Sequence, residues 1–192
     1  MKMRKSLFLQ ATALCVALSA TSWAGAFEKT LSKEGITFKI HAANDSSVGT
    51  VTITPKGFTI DNTPVKREID GVVTGAQIAD LNGDGAPEIY LFVHSAGSGA
   101  YGTVIGYSSN RNKSMSEIYL PELNPNAKEA RGYMGHDRFK IEGKYLLRSF
   151  PIYRKDDPNC CPSGGTRTLY YTLAPGEAMW QLKLVKSWDE KR

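Results

Sequence analysis

Apolar residues in this chain recur at every second position, in short runs, and almost nowhere at every third or fourth. Ile36-Thr37-Phe38-Lys39-Ile40 alternates strictly, and Val51-Thr52-Ile53-Thr54 does the same before Pro55-Lys56-Gly57. Further runs fall at residues 58–60, 89–93, 103–107, 118–120, 139–141, 145–150, 168–173 and 180–185. Successive strand side chains point to opposite faces, so such a pattern buries one face of a strand and wets the other. The runs are rich in β-branched and aromatic residues and are bounded by Gly, Pro, Asn or Asp. No long helical pattern separates them, which excludes the strand–helix alternation of a parallel α/β sheet. The spacing predicts an all-β, single-domain antiparallel sandwich or flattened barrel of about eight or more strands. Residues 124–130 alone read as a short helical turn, and no linker or internal repeat is visible.

The first 26 residues read as a secretory signal peptide. Lys2, Arg4 and Lys5 form a basic start, residues 6–20 an apolar stretch too short to span a bilayer, and Ala24-Gly25-Ala26 the small residues of a cleavage site. Leu14 before Cys15, and apolar residues after it, make a poor lipid-attachment site. Cleavage is expected before Phe27, giving a periplasmic domain of residues 27–192 that is not membrane-inserted and is a monomer or a homodimer. The 192-residue chain has 24 Lys+Arg and 19 Asp+Glu; the leader takes three basic groups and no acidic one, so the net charge falls from +5 to +2. A nucleic-acid partner therefore has no compositional support. Only Cys160 and Cys161 remain in the mature chain. Adjacent cysteines close only a strained ring with each other, which leaves them free, vicinally bridged or paired between chains. Without a nearby His pattern they do not make a zinc site.

Three loops carry the chemistry that the strands do not. In Asp80-Leu81-Asn82-Gly83-Asp84-Gly85-Ala86-Pro87-Glu88, Asp80, Asn82 and Asp84 alternate ahead of a glycine, as in the first half of a calcium loop and in the Asp-rich turns of some β-propeller repeats. Leu91 stands at the twelfth position, where a helix–loop–helix site needs a bidentate Glu, so the expectation is a polar turn with a positive φ at Gly85 and no calcium or other cofactor. The second loop, Ser95-Ala96-Gly97-Ser98-Gly99-Ala100-Tyr101-Gly102, holds more glycine than a hairpin requires. It reads either as a loose hairpin with Tyr101 folded onto the sheet or as a narrow finger offering the Ser98 hydroxyl and the Tyr101 ring. The third, residues 155–167, contains two prolines, two glycines and the cysteine pair, with Arg154 and Arg167 near its ends. Those arginines are either solvated or a cationic approach to a carboxylate.

Taken with their flanks, these loops resemble the bacterial periplasmic inhibitors of invertebrate-type lysozyme. The resemblance runs from about residue 78 to 184 and is densest in DLNGDGAPEIYLFVHSAGSGAYG, SEIYLPEL, GYMGHDRF, RSFPIYR and GGTRTLYYTLAPGEA. Related inhibitors of other lysozymes carry a Ser-Gly-x-Tyr-like loop that enters the enzyme's active-site cleft. That motif falls on Ser98-Gly99-Ala100-Tyr101, so the resemblance implies Ser98, Gly99 and Tyr101 as the inhibitory loop and an animal host's invertebrate-type lysozyme as partner; Arg154 and Arg167, from the reading of the third loop, are the candidates for secondary contacts.

Two other classes compete. An enzyme would need a constellation, yet His41, His94 and His136 stand isolated, with neither a Gly-x-Ser-x-Gly elbow nor a His-x-x-x-His pair. No carboxylate pair separates itself from the 19 acidic residues as a glycosidase would require, and the chain is not expected to be an enzyme. A secreted peptidoglycan- or carbohydrate-binding β-module, calcium-dependent through Asp80, Asn82 and Asp84 in one version, would use exposed aromatics such as Trp180, Trp188 and the tyrosine-rich strands.

Overall fold

In a computed structural model that describes residues 25–191, the alternating runs become strands of two sheets. The first is a meander of β1 (Phe27–Lys33), β2 (Ile36–Ala42), β3 (Val48–Lys56) and β4 (Val65–Asp70). The second contains β5 (Val72–Ala79), β6 (Glu88–His94), β7 (Gly102–Ser109), β8 (Met115–Tyr119), β9 (Arg138–Glu142), β10 (Tyr145–Pro151), β11 (Thr166–Pro175) and β12 (Trp180–Glu190). Its order is β5-β6-β7-β8-β12-β11-β10-β9. Neighbours are antiparallel except β8 and β12, which run parallel and pair only through Ile118–Trp180 and Tyr119–Gln181. The far edges meet where the Ile141 N–H of β9 donates to Gln77 Oε1 of β5 at 2.7 Å. The second sheet is thereby an almost closed barrel. All of the expected leader except residues 25 and 26 lies outside the described residues.

Two cores share the strands β5 to β7. Ile36, Phe38, Ile40, Val51, Ile53 and Ile69 of the meander pack against Val73, Ala76, Ile89, Leu91 and Val93. Inside the barrel, Tyr90, Phe92, Val104, Ile118, Leu146, Phe150, Leu169 and Leu182 form the other cluster. Strand β6 faces both at once, and its residues Glu88 to Val93 are all buried. An uninterrupted apolar run is what a strand covered on both faces requires. Asn44 joins the layers by a two-way bond to one residue: its Nδ2 donates to the Val73 carbonyl at 2.9 Å and its Oδ1 accepts the Val73 N–H at 3.0 Å. No helix among the described residues is long and apolar enough to cross a membrane.

The all-β expectation holds, with a 3₁₀ turn at Lys128–Ala130 as the single helical piece among the described residues. Residues 58–60 differ from expectation. Gly57 turns the chain at φ +104°, and Asn62 both accepts the Phe58 N–H and donates to the Phe58 carbonyl. The segment then crosses to the other sheet, where Thr59, Ile60 and Asp61 donate N–H groups to the carbonyls of Asn112 and Lys113. It is a strap between the sheets, not a strand.

Because β6 serves both cores, truncating it should cost more than truncating an edge. Leu91, fully buried, replaced by Ala should lose about 2–5 kcal/mol in urea denaturation. Leu184→Ala on exposed β12 should lose well under 1 kcal/mol.

Candidate functional site

The glycine-rich loop leaves β6 at His94 and returns as β7 at Gly102. Its ends are tied by the Ser95 N–H donating to the Tyr101 carbonyl at 2.9 Å and the Tyr101 N–H donating to Ser95 Oγ at 3.0 Å. At the tip, the Ala100 N–H donates to the Gly97 carbonyl at 2.9 Å. Ser98 and Gly99 are therefore the central residues of a tight turn. The positive φ falls on Ala100 (+41°), not on either glycine. A Cβ at Gly99 would lie 2.5 Å from the Tyr101 ring, so a side chain there would turn that half-exposed ring aside. Ser98 is exposed and Tyr101 is 52% exposed. Neither the Ser98 hydroxyl nor the Tyr101 hydroxyl has a hydrogen-bond partner among the described residues.

This turn is not free-standing. It is strapped to residues 132–137: the His136 N–H donates to the Gly99 carbonyl at 2.6 Å, and the Gly102 N–H donates to Asp137 Oδ2 at 2.8 Å. Gly135 must lack a side chain, since a Cβ would sit 2.0 Å from the Gly99 oxygen. The Tyr101 ring meets Tyr133 edge-on at 5.8 Å, so it leans on its neighbour while half of it faces solvent.

Beneath lies a buried ionic network that the sequence reading missed. Arg148 of β10 donates its Nε to Asp137 Oδ1 at 2.7 Å, and Asp137 is 1% exposed. The Tyr133 hydroxyl donates to Asp137 Oδ2 at 2.6 Å and accepts from an Arg148 terminal nitrogen at 2.5 Å. The guanidinium also lies over the Tyr133 ring, 4.9 Å from its centre. Burial works against the Arg148 charge, but the Asp137 carboxylate outweighs it and holds the guanidinium pKa above its ordinary value. Burial, and its hydrogen bond to Asp137, push the Tyr133 phenol up. Asp137 and Tyr133 come from GYMGHDRF and Arg148 opens RSFPIYR, two stretches that the pairing of β9 with β10 brings together. Beside the finger a depression of about 390 Å³ is lined by His94, Ala100, His136, Arg138, Ser149 and Thr166, among others.

The two arginines of the third loop separate in role. Arg167 is spent inside the protein: it forms a bidentate pair with Asp189 at 2.7 Å and donates its remaining terminal nitrogen to the carbonyls of Lys128, Glu129 and Arg131. Arg154 is exposed. The loop takes its shape from Asp157, which accepts N–H groups of Arg154 and Ser163 and the Ser163 hydroxyl. Those bonds hold the Asp157 pKa below the usual carboxylate range. Of the three states left open for the cysteines, the structure shows the vicinal bridge between Cys160 and Cys161.

At the other end of β6 the acidic turn closes on itself as a polar turn should. Asp80 Oδ1 accepts the N–H groups of Gly83 and Asp84, Asp80 Oδ2 that of Gly85, and Asp84 Oδ1 that of Ala86. Gly83 and Gly85 have φ of +73° and +80°. The structure adds Glu88, fully buried, with a carboxylate oxygen within 4.8 Å of one from Asp80 and one from Asp84. Burial pushes the Glu88 carboxyl up to about 8, helped by the charges of Asp80 and Asp84 and opposed by the Leu81 N–H that donates to it. Like charges this close repel by on the order of 3 kcal/mol per pair at an effective dielectric near 20, less where water screens the exposed Asp84.

No protein-family model, no curated protein and no solved structure matches this chain.

The network under the finger should behave as one unit. Asp137→Asn leaves a buried guanidinium without its counter-charge and should lose about 3–5 kcal/mol in denaturant unfolding. Asp137→Asn with Arg148→Met should lose less than the sum of the two single changes, because the second removes the charge that the first stranded. Strict additivity in that cycle would show that the pair is not coupled.

Proposed function

We propose that this chain is a periplasmic protein inhibitor of invertebrate-type lysozyme, acting through the turn that presents Ser98 and Tyr101. One observation carries the reading: a braced, uncharged, narrow turn exposes two hydroxyl groups that have no hydrogen-bond partner among the described residues. A glycosidase cleft is lined by a catalytic acid and a second carboxylate and is shaped for a sugar chain. An intruding loop must be thin, and its polar groups must find partners once water is removed. Ser98 can donate to a carboxylate, and the Tyr101 ring can pack on the cleft wall with its hydroxyl at the rim. Met134, 42% exposed, belongs to the bracing loop and extends the apolar part of the same surface. Residues 95–102 carry no charge, so burying them strands no ion. The resemblance of GYMGHDRF and RSFPIYR to the inhibitor family fits this arrangement, since the side chains that brace the finger come from those stretches. Arg154, exposed beside the third loop, is the remaining candidate for a rim contact, whereas Arg167 is already engaged.

The test is residual activity of purified invertebrate-type lysozyme with increasing protein, with hen-type and goose-type enzymes beside it. Ser98→Ala and Tyr101→Ala should each weaken inhibition at least about tenfold, as expected when a buried interface hot spot worth about 2 kcal/mol or more is truncated. Ser98→Ala should not move the melting temperature, and Tyr101→Ala should lower it only slightly, because half the ring is solvated. Replacing both Cys160 and Cys161 by Ala should leave inhibition within a few-fold, as Asp157 holds that loop. Absence of inhibition, or unaltered inhibition by the Ser98→Ala, Tyr101→Ala double variant, would overturn the finger mechanism. Sedimentation with isolated sacculi in place of inhibition would favour a wall-binding module.

A further inference from the structure

The end of β6 remote from the finger poses a separate question. Asp80, Asp84 and Glu88 place one carboxylate oxygen each within 4.8 Å of one another. No Lys, Arg or His pairs with any of them among the described residues. An acidic cluster on a turn is commonplace by itself, but Glu88 is not a surface residue. It is 0% exposed, its carboxylate faces the two aspartates, and its Oε1 has no hydrogen-bond partner. Its Oε2 accepts only the Leu81 N–H, at 2.7 Å. The neighbouring polar groups are orphaned as well. The Tyr90 hydroxyl lies beside Glu88 and is near enough to act on its carboxylate as a donor, but the two stand short of a well-formed hydrogen bond. Ser108, directly opposite Glu88 across the β6–β7 ladder, has a buried hydroxyl in the same condition. A buried, unpaired carboxylate oxygen beside two further carboxylates is unfavourable unless a proton or a cation neutralises it.

We propose that Asp80, Asp84 and Glu88 form a calcium site, with Glu88 as the buried anchoring ligand. Asn82 is engaged in the turn itself, its Oδ1 accepting the Asp84 N–H and its Nδ2 donating to Asp84 Oδ2. The expectation that this turn works without calcium rested on a twelve-residue template whose last position is Leu91. The chain closes its ligand set earlier, because Ala86-Pro87 leads directly into β6 and brings the ninth residue back over the turn. All the candidate donors are hard oxygens, and all three residues are carboxylates. That favours Ca²⁺, which takes six to eight oxygens in flexible geometry, over Mg²⁺, which holds its waters and usually takes one or two carboxylates. The residues of β6 separate this site from the finger by roughly 20 Å of extended chain. The cation would therefore anchor the β5–β6 turn and the strand end, with no contact to an inhibited enzyme.

The test does not depend on the inhibitory reading. The purified protein is stripped with a chelator, and Ca²⁺ and Mg²⁺ are titrated in calorimetry and thermal melts. Expected are one Ca²⁺ per chain, a melting temperature raised by several degrees at about 1 mM Ca²⁺, and a weaker response to Mg²⁺. Asp84→Ala, at an exposed position, should cut Ca²⁺ affinity at least about tenfold while leaving the stripped protein folded. Glu88→Gln should do the same and should raise the melting temperature of the stripped protein; if it fails to fold, Asp84→Ala and Asp80→Ala decide. No heat and no melting shift up to about 5 mM Ca²⁺ would overturn the proposal, as would Ca²⁺ binding unchanged by Asp84→Ala or a stronger response to Mg²⁺.

Discussion

Strand β6 is covered on both faces, and most of the architecture follows from accommodating it. Ile89, Leu91 and Val93 point into the meander's core while Tyr90 and Phe92 point into the barrel. Glycines in the flanking strands leave room for these two rings. Gly75 of β5 stands opposite Phe92, where a Cβ would lie 3.2 Å from the ring, and Gly106 of β7 stands opposite Tyr90, where a Cβ would lie 3.3 Å from it. A strand so enclosed has no solvated face of its own, so its polar groups gather at its two ends. Glu88 opens it and the finger follows its close, and both chemically distinctive places in the molecule are consequences of where a buried strand must stop.

Much of this was legible in the alternation of apolar residues, because burial of one strand face writes itself directly into sequence. What was not legible had physical reasons. β1 and β4 (FEKTLSK and VKREID) are edge strands of the meander, where charged side chains cover what would otherwise be an open edge, and their alternation is correspondingly weak. β5 is interrupted by a register shift between Val73 and Gly75, which breaks the period of two in its middle. Residues 58–60 carry a strand-like triplet, yet Gly57 and Asn62 on either side commit them to a strap. The finger itself was conspicuous, because it holds more glycine than a hairpin consumes. Its support was hidden, since Asp137 and Arg148 become neighbours only through the pairing of β9 with β10. Glu88 was hidden by the choice of template: a search at position twelve passes over position nine.

The support matters for any role in which the finger is inserted. A loop that orders itself on binding loses affinity to that ordering. Here the turn is closed by its own Gly97–Ala100 bond, held at its tip by His136 and at its root by Asp137. Asp137 divides its acceptor capacity, giving one oxygen to Arg148 and the other to Gly102 and Tyr133. The turn is braced by a buried ion pair, and the pair is tolerable because both oxygens of its carboxylate have donors.

That comparison bears on the opposite end of β6. Among the described residues two carboxylates are buried almost completely, Asp137 at 1% and Glu88 at 0% exposure. For Asp137 the protein supplies a guanidinium, a phenol and a backbone N–H, so charge and lone pairs are both met. For Glu88 it supplies one backbone N–H and then places two more carboxylates alongside. A fold that solves the burial problem fully at one site has not simply neglected it at another. Either Glu88 is held protonated, consistent with a carboxyl pushed up to about 8, or the missing positive charge comes from solution. The turn's own N–H groups hold Asp80 and Asp84 in place; protonation relieves the charge on Glu88 alone, whereas a divalent cation would satisfy all three carboxylates together.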